Sequence, residues 1–139
     1  MNLTDPLGRS FSYLRLSVTD VCNFRCVYCL PNGFKKRHGV SPLSIEEIKN
    51  LVTAFSKLGF WKVRLTGGEP TVRRDIVEIV HAVSSVPGIR KVALTTNGHC
   101  LFKLVPALKE AGLNSLNVSI DSLDGDKFRE ITGQRVARH

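Results

Sequence analysis

Four short alternating apolar stretches, separated by helical patterns, constrain this chain more than any other feature. Residues 12–19 alternate well and read as a first strand. Residues 62–66, 91–95 and 115–120 read as three more. The first helix is announced by Ser44 with Glu47 three positions on, a capping box. Ile48, Leu51, Val52 and Phe55 form its apolar stripe, and Gly59 suits its left-handed end. The second runs over about residues 75–84, with Ile76, Ile79, Val80 and Val83 on one face and Pro87-Gly88 beyond it. The third spans about residues 101–111 and turns Leu104, Val105 and Leu108 inward, although Pro106 argues for a start nearer Val105. Asp124 or Asp126 starts a short fourth helix through Phe128 and Ile131. Residues up to Ser10 read as an irregular lead-in, and residues 34–40 as a basic surface loop. Strand and helix in strict alternation predict an α/β fold with a parallel sheet.

That architecture gives the polar clusters their meaning. Cys22-Asn23-Phe24-Arg25-Cys26-Val27-Tyr28-Cys29 follows the first strand, and Gly67-Gly68-Glu69-Pro70 follows the second. Thr95-Thr96-Asn97-Gly98 closes the third, and residues 119–121 leave the fourth. The C-terminal ends of parallel strands open on one face, where ligands bind. Four clusters at four such ends predict one shared site.

The first cluster carries metal chemistry. Three cysteines spaced CxxxCxxC offer three soft thiolates on one loop. A four-iron cluster held this way keeps one iron without a protein ligand, open to a small molecule. Structural zinc is the competing reading, but it needs a fourth ligand, and a second CxxC pair is missing. Cys100 could supply the missing ligand of a fully protein-ligated cluster, but that would remove the open iron, and its place at a helix start reads better as a small apolar residue. His38, His81, His99 and His139 share no metal spacing.

The other clusters are consistent with a cofactor and an anionic substrate. Gly67 and Gly68 leave backbone free for close approach, and Glu69 can accept from an amine or hydroxyl. A plain turn between strand and helix is the simpler alternative. No GxGxxG dinucleotide fingerprint is present. Arg15 and Arg64 lie inside strands, and an arginine turned into a barrel needs an anion, for which its fork suits phosphate. Arg73 and Arg74 could add charge or sit on a helix surface. Thr95, Thr96 and Asn97 can partner a ribose or base, or make an Asn-Gly turn. Asp121 could cap the next segment, and Ser119 could satisfy a core hydrogen bond.

Charge narrows the partners. The 139 residues carry 20 Lys+Arg against 12 Asp+Glu, a net charge of +8. The basic residues, among them Lys35, Lys36, Arg37, Lys103, Lys109, Arg135 and Arg138, are spread along the chain. No basic tail or aromatic–basic stripe tracks a nucleic acid strand, so a polyanionic small molecule is the expected partner. No long uncharged apolar run predicts a membrane span, and the N-terminus lacks the pattern of a secretory signal. A cytoplasmic location is expected, in keeping with reduced cysteines.

The cysteine loop resembles the signature of the radical S-adenosylmethionine superfamily. The likeness extends further. Residues 14–31, residues 62–70, Thr95-Thr96-Asn97-Gly98, residues 117–124 and Ile131-Thr132-Gly133 are similar to the molybdenum cofactor biosynthesis protein A family, the GTP 3',8-cyclases. The resemblance implies the N-terminal part of a parallel (β/α) partial TIM-type barrel, with a lead-in over 1–11, a truncated radical domain over 12–133 and an off-pattern tail over 134–139. It implies a [4Fe–4S] cluster on Cys22, Cys26 and Cys29, S-adenosylmethionine contacts from Tyr28, Gly68, Ser119 and Glu69, and GTP contacts from Arg15, Arg64 and Thr95. The implied reaction joins C3' of the GTP ribose to C8 of guanine through a 5'-deoxyadenosyl radical, in molybdopterin synthesis. An electron donor and self-association, common in the family, are the implied partners, with neither nucleic acid nor membrane. The family's second cluster lies in a C-terminal region without counterpart here, so an inactive fragment is a competing expectation. Another radical enzyme and a non-catalytic metal module that binds nucleic acid are the remaining alternatives.

Overall fold

The computed structural model describes residues 3–35, 39 and 41–134. Lys36, Arg37, His38 and Val40 of the expected basic loop lie outside the described residues, as do Arg135 and the rest of the expected tail after Gln134. A small antiparallel hairpin, β1 (Leu3–Thr4) and β2 (Ser10–Phe11), replaces the expected irregular lead-in. Its turn is tied by Asp5, whose carboxylate accepts from the Leu7 and Arg9 amides and pairs with the Arg9 side chain at 2.6 Å.

The main sheet has four parallel strands in the order β3 (Tyr13–Ser17), β4 (Lys62–Thr66), β5 (Lys91–Thr96) and β6 (Ser115–Val118). Neighbours in space are neighbours in sequence, because each return passes through a helix on the same face. The first and last strands end earlier than their alternation suggests: β3 stops at Ser17 and β6 at Val118. The chain then bends toward the loops, with the Val18 and Ser119 amides still bonded to Thr66 and Thr96 carbonyls at 2.9 and 2.8 Å.

The helices are α1 (Ile45–Lys57), α2 (Ile76–Ser84), α3 (Leu101–Glu110) and α4 (Gly125–Thr132). Ser44 and Glu47 form the expected capping box: the Ser44 hydroxyl accepts from the Glu47 amide at 3.2 Å, and the Ser44 amide donates to Glu47 at 2.8 Å. Asp124, not Asp126, caps α4, accepting from the amides of Asp126 and Lys127. Helix α3 starts at Leu101, earlier than Pro106 suggested. Pro106 removes the bond to the Phe102 carbonyl, but both residues are exposed, so water can serve that oxygen.

Side chains of alternate strand positions sort onto two faces. Leu16, Val63, Leu65, Val92 and Leu94 meet Ile48, Val52, Ile76, Ile79, Val80, Val83 and Leu108 of the helices in one core. Each fully buried aliphatic contributes about 1.5–3 kcal/mol, which is what drives α1, α2 and α3 onto this face. The opposite face carries Tyr13, Arg15, Ser17, Lys62, Arg64, Thr66 and Thr95, and no helix among the described residues covers it.

Candidate functional site

The cysteine loop is anchored from two sides. Phe24, between the first two cysteines, is buried and packs edge-on against His99 at 5.9 Å and Phe128 at 5.8 Å. The C-terminal end of α4 accepts from the loop: the amides of Arg25 and Val27 donate to the carbonyls of Thr132 and Ile131 at 2.9 and 3.0 Å. These are carbonyls a helix end leaves unpaired. Gly133 turns the chain there with φ 66°, and the Gln134 side chain donates from Nε2 to the Asn23 carbonyl. On the other side Asn97 donates to the Asn23 side chain at 2.8 Å.

The thiols themselves are unlinked, with Cys22 and Cys26 half-buried and Cys29 exposed. Burial pushes both Cys22 and Cys26 thiols up, and the neighbouring cysteines add to the shift. The Phe24 amide lies 3.4 Å from the Cys22 sulfur and works the other way. Among the described residues, no group of three or more His, Cys, Asp or Glu side chains is gathered as one metal ion would require. A four-iron cube seats each thiolate on a different iron, so its cysteines need not meet at one point. Three free thiols on one anchored loop suit such a group by donor chemistry.

The glycine loop is built against the segment that leads into Cys22. The amides of Gly68 and Glu69 donate to the carbonyls of Thr19 and Val21 at 2.7 and 2.8 Å. A Cβ on Gly68 would fall 2.7 Å from the Asp20 carbonyl oxygen and closer still to that of Val21. The two glycines are therefore required by backbone packed on backbone, whatever they offer a ligand. Glu69 is buried, and its carboxylate is heavily used. One oxygen accepts from the Thr71 amide and hydroxyl at 3.0 and 2.5 Å and from the Thr96 hydroxyl at 2.6 Å. The other accepts from the Asn97 amide at 2.7 Å. Glu69 thus ties the ends of β4 and β5 together, and Oε2 keeps one acceptor position.

A pocket of about 640 Å³ lies over this end of the sheet, lined by Ser17, Asp20, Cys29, Lys35, Gly67 and Gly68, among others. Tyr28, next to Cys29 in the chain, is exposed, and its hydroxyl donates to the Asp121 carboxylate at 3.0 Å. That bond, more than any other cause, pushes the phenol above its ordinary value of 10.0. It also links the cysteine loop to the exit of β6, where Ser119 is exposed.

One pleat below, the open face is cationic. Arg15 and Arg64 are register partners on β3 and β4. They lie mid-strand, inside the strands as expected. Among the described residues, the ion pairs involve Arg9, Arg73 and Arg129, and neither Arg15 nor Arg64 has a carboxylate. Like charges placed opposite one another on a sheet cost stability, and an anion between them removes the cost. Arg64 is held by neutral groups instead: Nε donates to the Tyr13 hydroxyl at 2.7 Å and Nη1 to Thr95 at 2.9 Å. Lys62 sits over the Tyr13 ring at 4.7 Å. Arg73 is not available to a ligand. It makes a double hydrogen bond to Asp75 and donates to the Val18 and Leu43 carbonyls at 2.7 and 2.9 Å.

The structure therefore brings Cys29 and Gly68 to one pocket, Tyr28 and Ser119 to the same end of the sheet, and Arg64 and Thr95 into direct contact. Tyr13, Phe24 and Asn23 were not singled out by sequence reasoning. Tyr13 shares the Arg15 face by alternation, which was the available signal. The packing of Phe24 had none.

The described residues contain no helix long and apolar enough to cross a membrane. The family model of the radical SAM superfamily matches residues 16–139, which is most of the chain. The chain belongs to the radical SAM superfamily. Its radical SAM domain is homologous to the GTP 3',8-cyclases: it is 54% identical over 134 residues to the GTP 3',8-cyclase of Psychromonas ingrahamii, covering 96% of this chain and 40% of that one. It is 56% identical over 131 residues to that of Stenotrophomonas maltophilia, covering 94% of this chain and 40% of that one. The chain thus spans about 40% of the length of the curated relatives it matches. Among solved structures it is similar to BtrN in complex with AdoMet and 2-DOIA, with TM-score 0.68, 27% identity, and 87% of this chain and 50% of that chain covered. It shares the fold of Streptococcus suis SuiB bound to S-adenosylmethionine at TM-score 0.73, with 22% identity and 89% and 28% covered. The parallel sheet with helices on one face is accordingly part of the (β/α) barrel core of radical SAM enzymes.

Proposed function

We propose that this radical SAM domain is the cluster- and cofactor-bearing part of a GTP 3',8-cyclase, acting on GTP to give (8S)-3',8-cyclo-7,8-dihydroguanosine 5'-triphosphate in molybdopterin synthesis. The observation that carries the substrate is the pair Arg15 and Arg64, adjacent in register on the open face and without carboxylates. A triphosphate meets that need, and a neutral peptide does not. Cys22, Cys26 and Cys29 would hold a [4Fe–4S] cluster, which when bound supplies the electron that cleaves S-adenosylmethionine to the 5'-deoxyadenosyl radical.

The residues of the chain do the positioning. Gly68, which lines the pocket, and Glu69 Oε2, which keeps one acceptor position, would hold the amine of the cofactor's methionine part, while the rest of Glu69 keeps the loop in place. Tyr28 and Ser119 stand at the end of the sheet where the adenosine part would lie. Arg15 and Arg64 take the phosphates, and Thr95 has a hydroxyl proton left to donate to GTP. With phosphates on the sheet face and cofactor at the strand ends, the ribose would lie between them, as hydrogen abstraction demands.

The reading includes a cytoplasmic setting, an electron donor and self-association. Leu116, Val118, Ile120 and Leu123 on and beyond the β6 edge are exposed and would support the last. Light scattering over a concentration series should show association, and Val118→Lys should weaken it. The function itself is tested by reconstituting the chain with iron and sulfide without oxygen, reducing it, and measuring 5'-deoxyadenosine with and without GTP. Product that rises with GTP is expected. No product from folded chain carrying about four irons would overturn the reading of this domain as cofactor-cleaving. Failure of folded chain to take up iron would turn attention to a metal-free or zinc module.

A further inference from the structure

We infer that Tyr13 is a positioning residue for the anion site: it fixes the Arg64 fork so that its free tip faces the substrate phosphates. The inference rests on the GTP reading and adds to it a residue and a role.

The sheet register places Tyr13 opposite Lys62 and diagonal to Arg64. It places Thr95 on the other diagonal, two positions beyond Ala93, the partner of Arg64. Diagonal neighbours on one sheet face are within reach of long side chains. The Arg64 guanidinium lies between them, its Nε bonded to the Tyr13 hydroxyl at 2.7 Å and its Nη1 to Thr95 at 2.9 Å. Each of the two outer edges of the fork has one nitrogen held. Nη2 belongs to both edges, and among the described residues no protein acceptor is bonded to it. Two neutral acceptors orient the group without neutralising it, so its full charge remains for an anion.

Lys62 completes the arrangement. Its ammonium sits 4.7 Å from the Tyr13 ring centre, which holds the ring and adds a second charge beside the first. Tyr13 is 42% exposed, so it is not held there by core packing. A hydroxyl on an exposed edge-strand tyrosine that meets an arginine with no carboxylate is better explained by the arginine's task than by stability. A fork already oriented loses less freedom on binding, and this is how Tyr13 contributes affinity.

The test uses the whole chain and titration calorimetry with inorganic triphosphate and with GTP. Tyr13→Phe keeps the ring under Lys62 and removes only the hydroxyl. Affinity for both ligands should fall by about three- to tenfold, with the melting temperature nearly unchanged. In an Arg64→Ala background the same change should have no further effect. Unchanged affinity in Tyr13→Phe overturns the inference and leaves the GTP reading standing. An equal loss in both backgrounds also overturns it, since Tyr13 would then act without Arg64. Wild-type chain that binds GTP but not triphosphate overturns it too, because the phosphates would not be what the site holds. Folded wild-type chain that binds neither ligand removes the GTP reading and the inference together.

Discussion

At the residue scale, single atoms separate roles that the sequence blends. Gly68 was read as a backbone position for a ligand, and the structure adds a demand from within the protein. Its Cα faces the carbonyls of Asp20 and Val21, just before Cys22. Gly68→Ala should therefore push that segment away and destabilise the fold by roughly 1–3 kcal/mol. Urea unfolding measures it, and an unchanged midpoint would show that the loop yields freely. Glu69 shows the same layering. Its four protein donors explain how a carboxylate is tolerated in a buried position. Alternation put Tyr13 and Arg15 on one face, but only cross-strand register shows that Tyr13 meets Arg64.

At the element scale, α4 matters more than its eight residues suggest. Its unpaired terminal carbonyls accept the Arg25 and Val27 amides, and Phe128 backs Phe24. The ring pair contributes about 0.5–1.5 kcal/mol beyond area burial. Phe128→Ala should loosen the cysteine loop while leaving the sheet intact. Hydrogen exchange should quicken at the Arg25 and Val27 amides, and iron retained per chain should fall. Unchanged exchange at both amides would show that α4 does not hold the loop. The helix was visible in sequence through Asp124 or Asp126 and its apolar positions, and the structure decides for Asp124. Its docking partner, more than a hundred positions earlier, was not.

At the scale of the whole molecule, the sheet has one face packed and one face charged. Stability therefore comes from the helix side, and the proposed anion site lies on the other. Two carboxylates on the helix side make stability depend on pH. Bonds from Ser44 hold Glu47 below its ordinary value of 4.5, and Arg73 holds Asp75 below 3.8. Both are depressed in the folded state, so their contribution is complete above those ordinary values. It is lost as pH falls through the lower folded ones. Thermal melts should be flat from neutral pH to about 5 and fall below about 4.5. Ser44→Ala with Glu47→Gln should remove part of that slope. A slope equal to wild type would mean that the cap is not its source.

The alternation of strand and helix, the capping box at Ser44, the Asp124 start and the strand-end placement of the cysteine and glycine loops all follow from local pattern. They are legible because each depends on residues within one turn or one pleat of one another. The extra hairpin and the structural commitment of Arg73 are not, and the span from Leu101 was legible while the tolerance of Pro106 within it was not. The hairpin and Arg73 turn on who is near: a carboxylate across the turn, a backbone oxygen from another loop. The site divides the same way. Sequence spacing put the cysteine and glycine loops at the open end of the sheet. Tertiary structure alone decided that Arg64 is held by a phenol and a threonine with no carboxylate, because register and burial are set by contacts between segments distant in the chain.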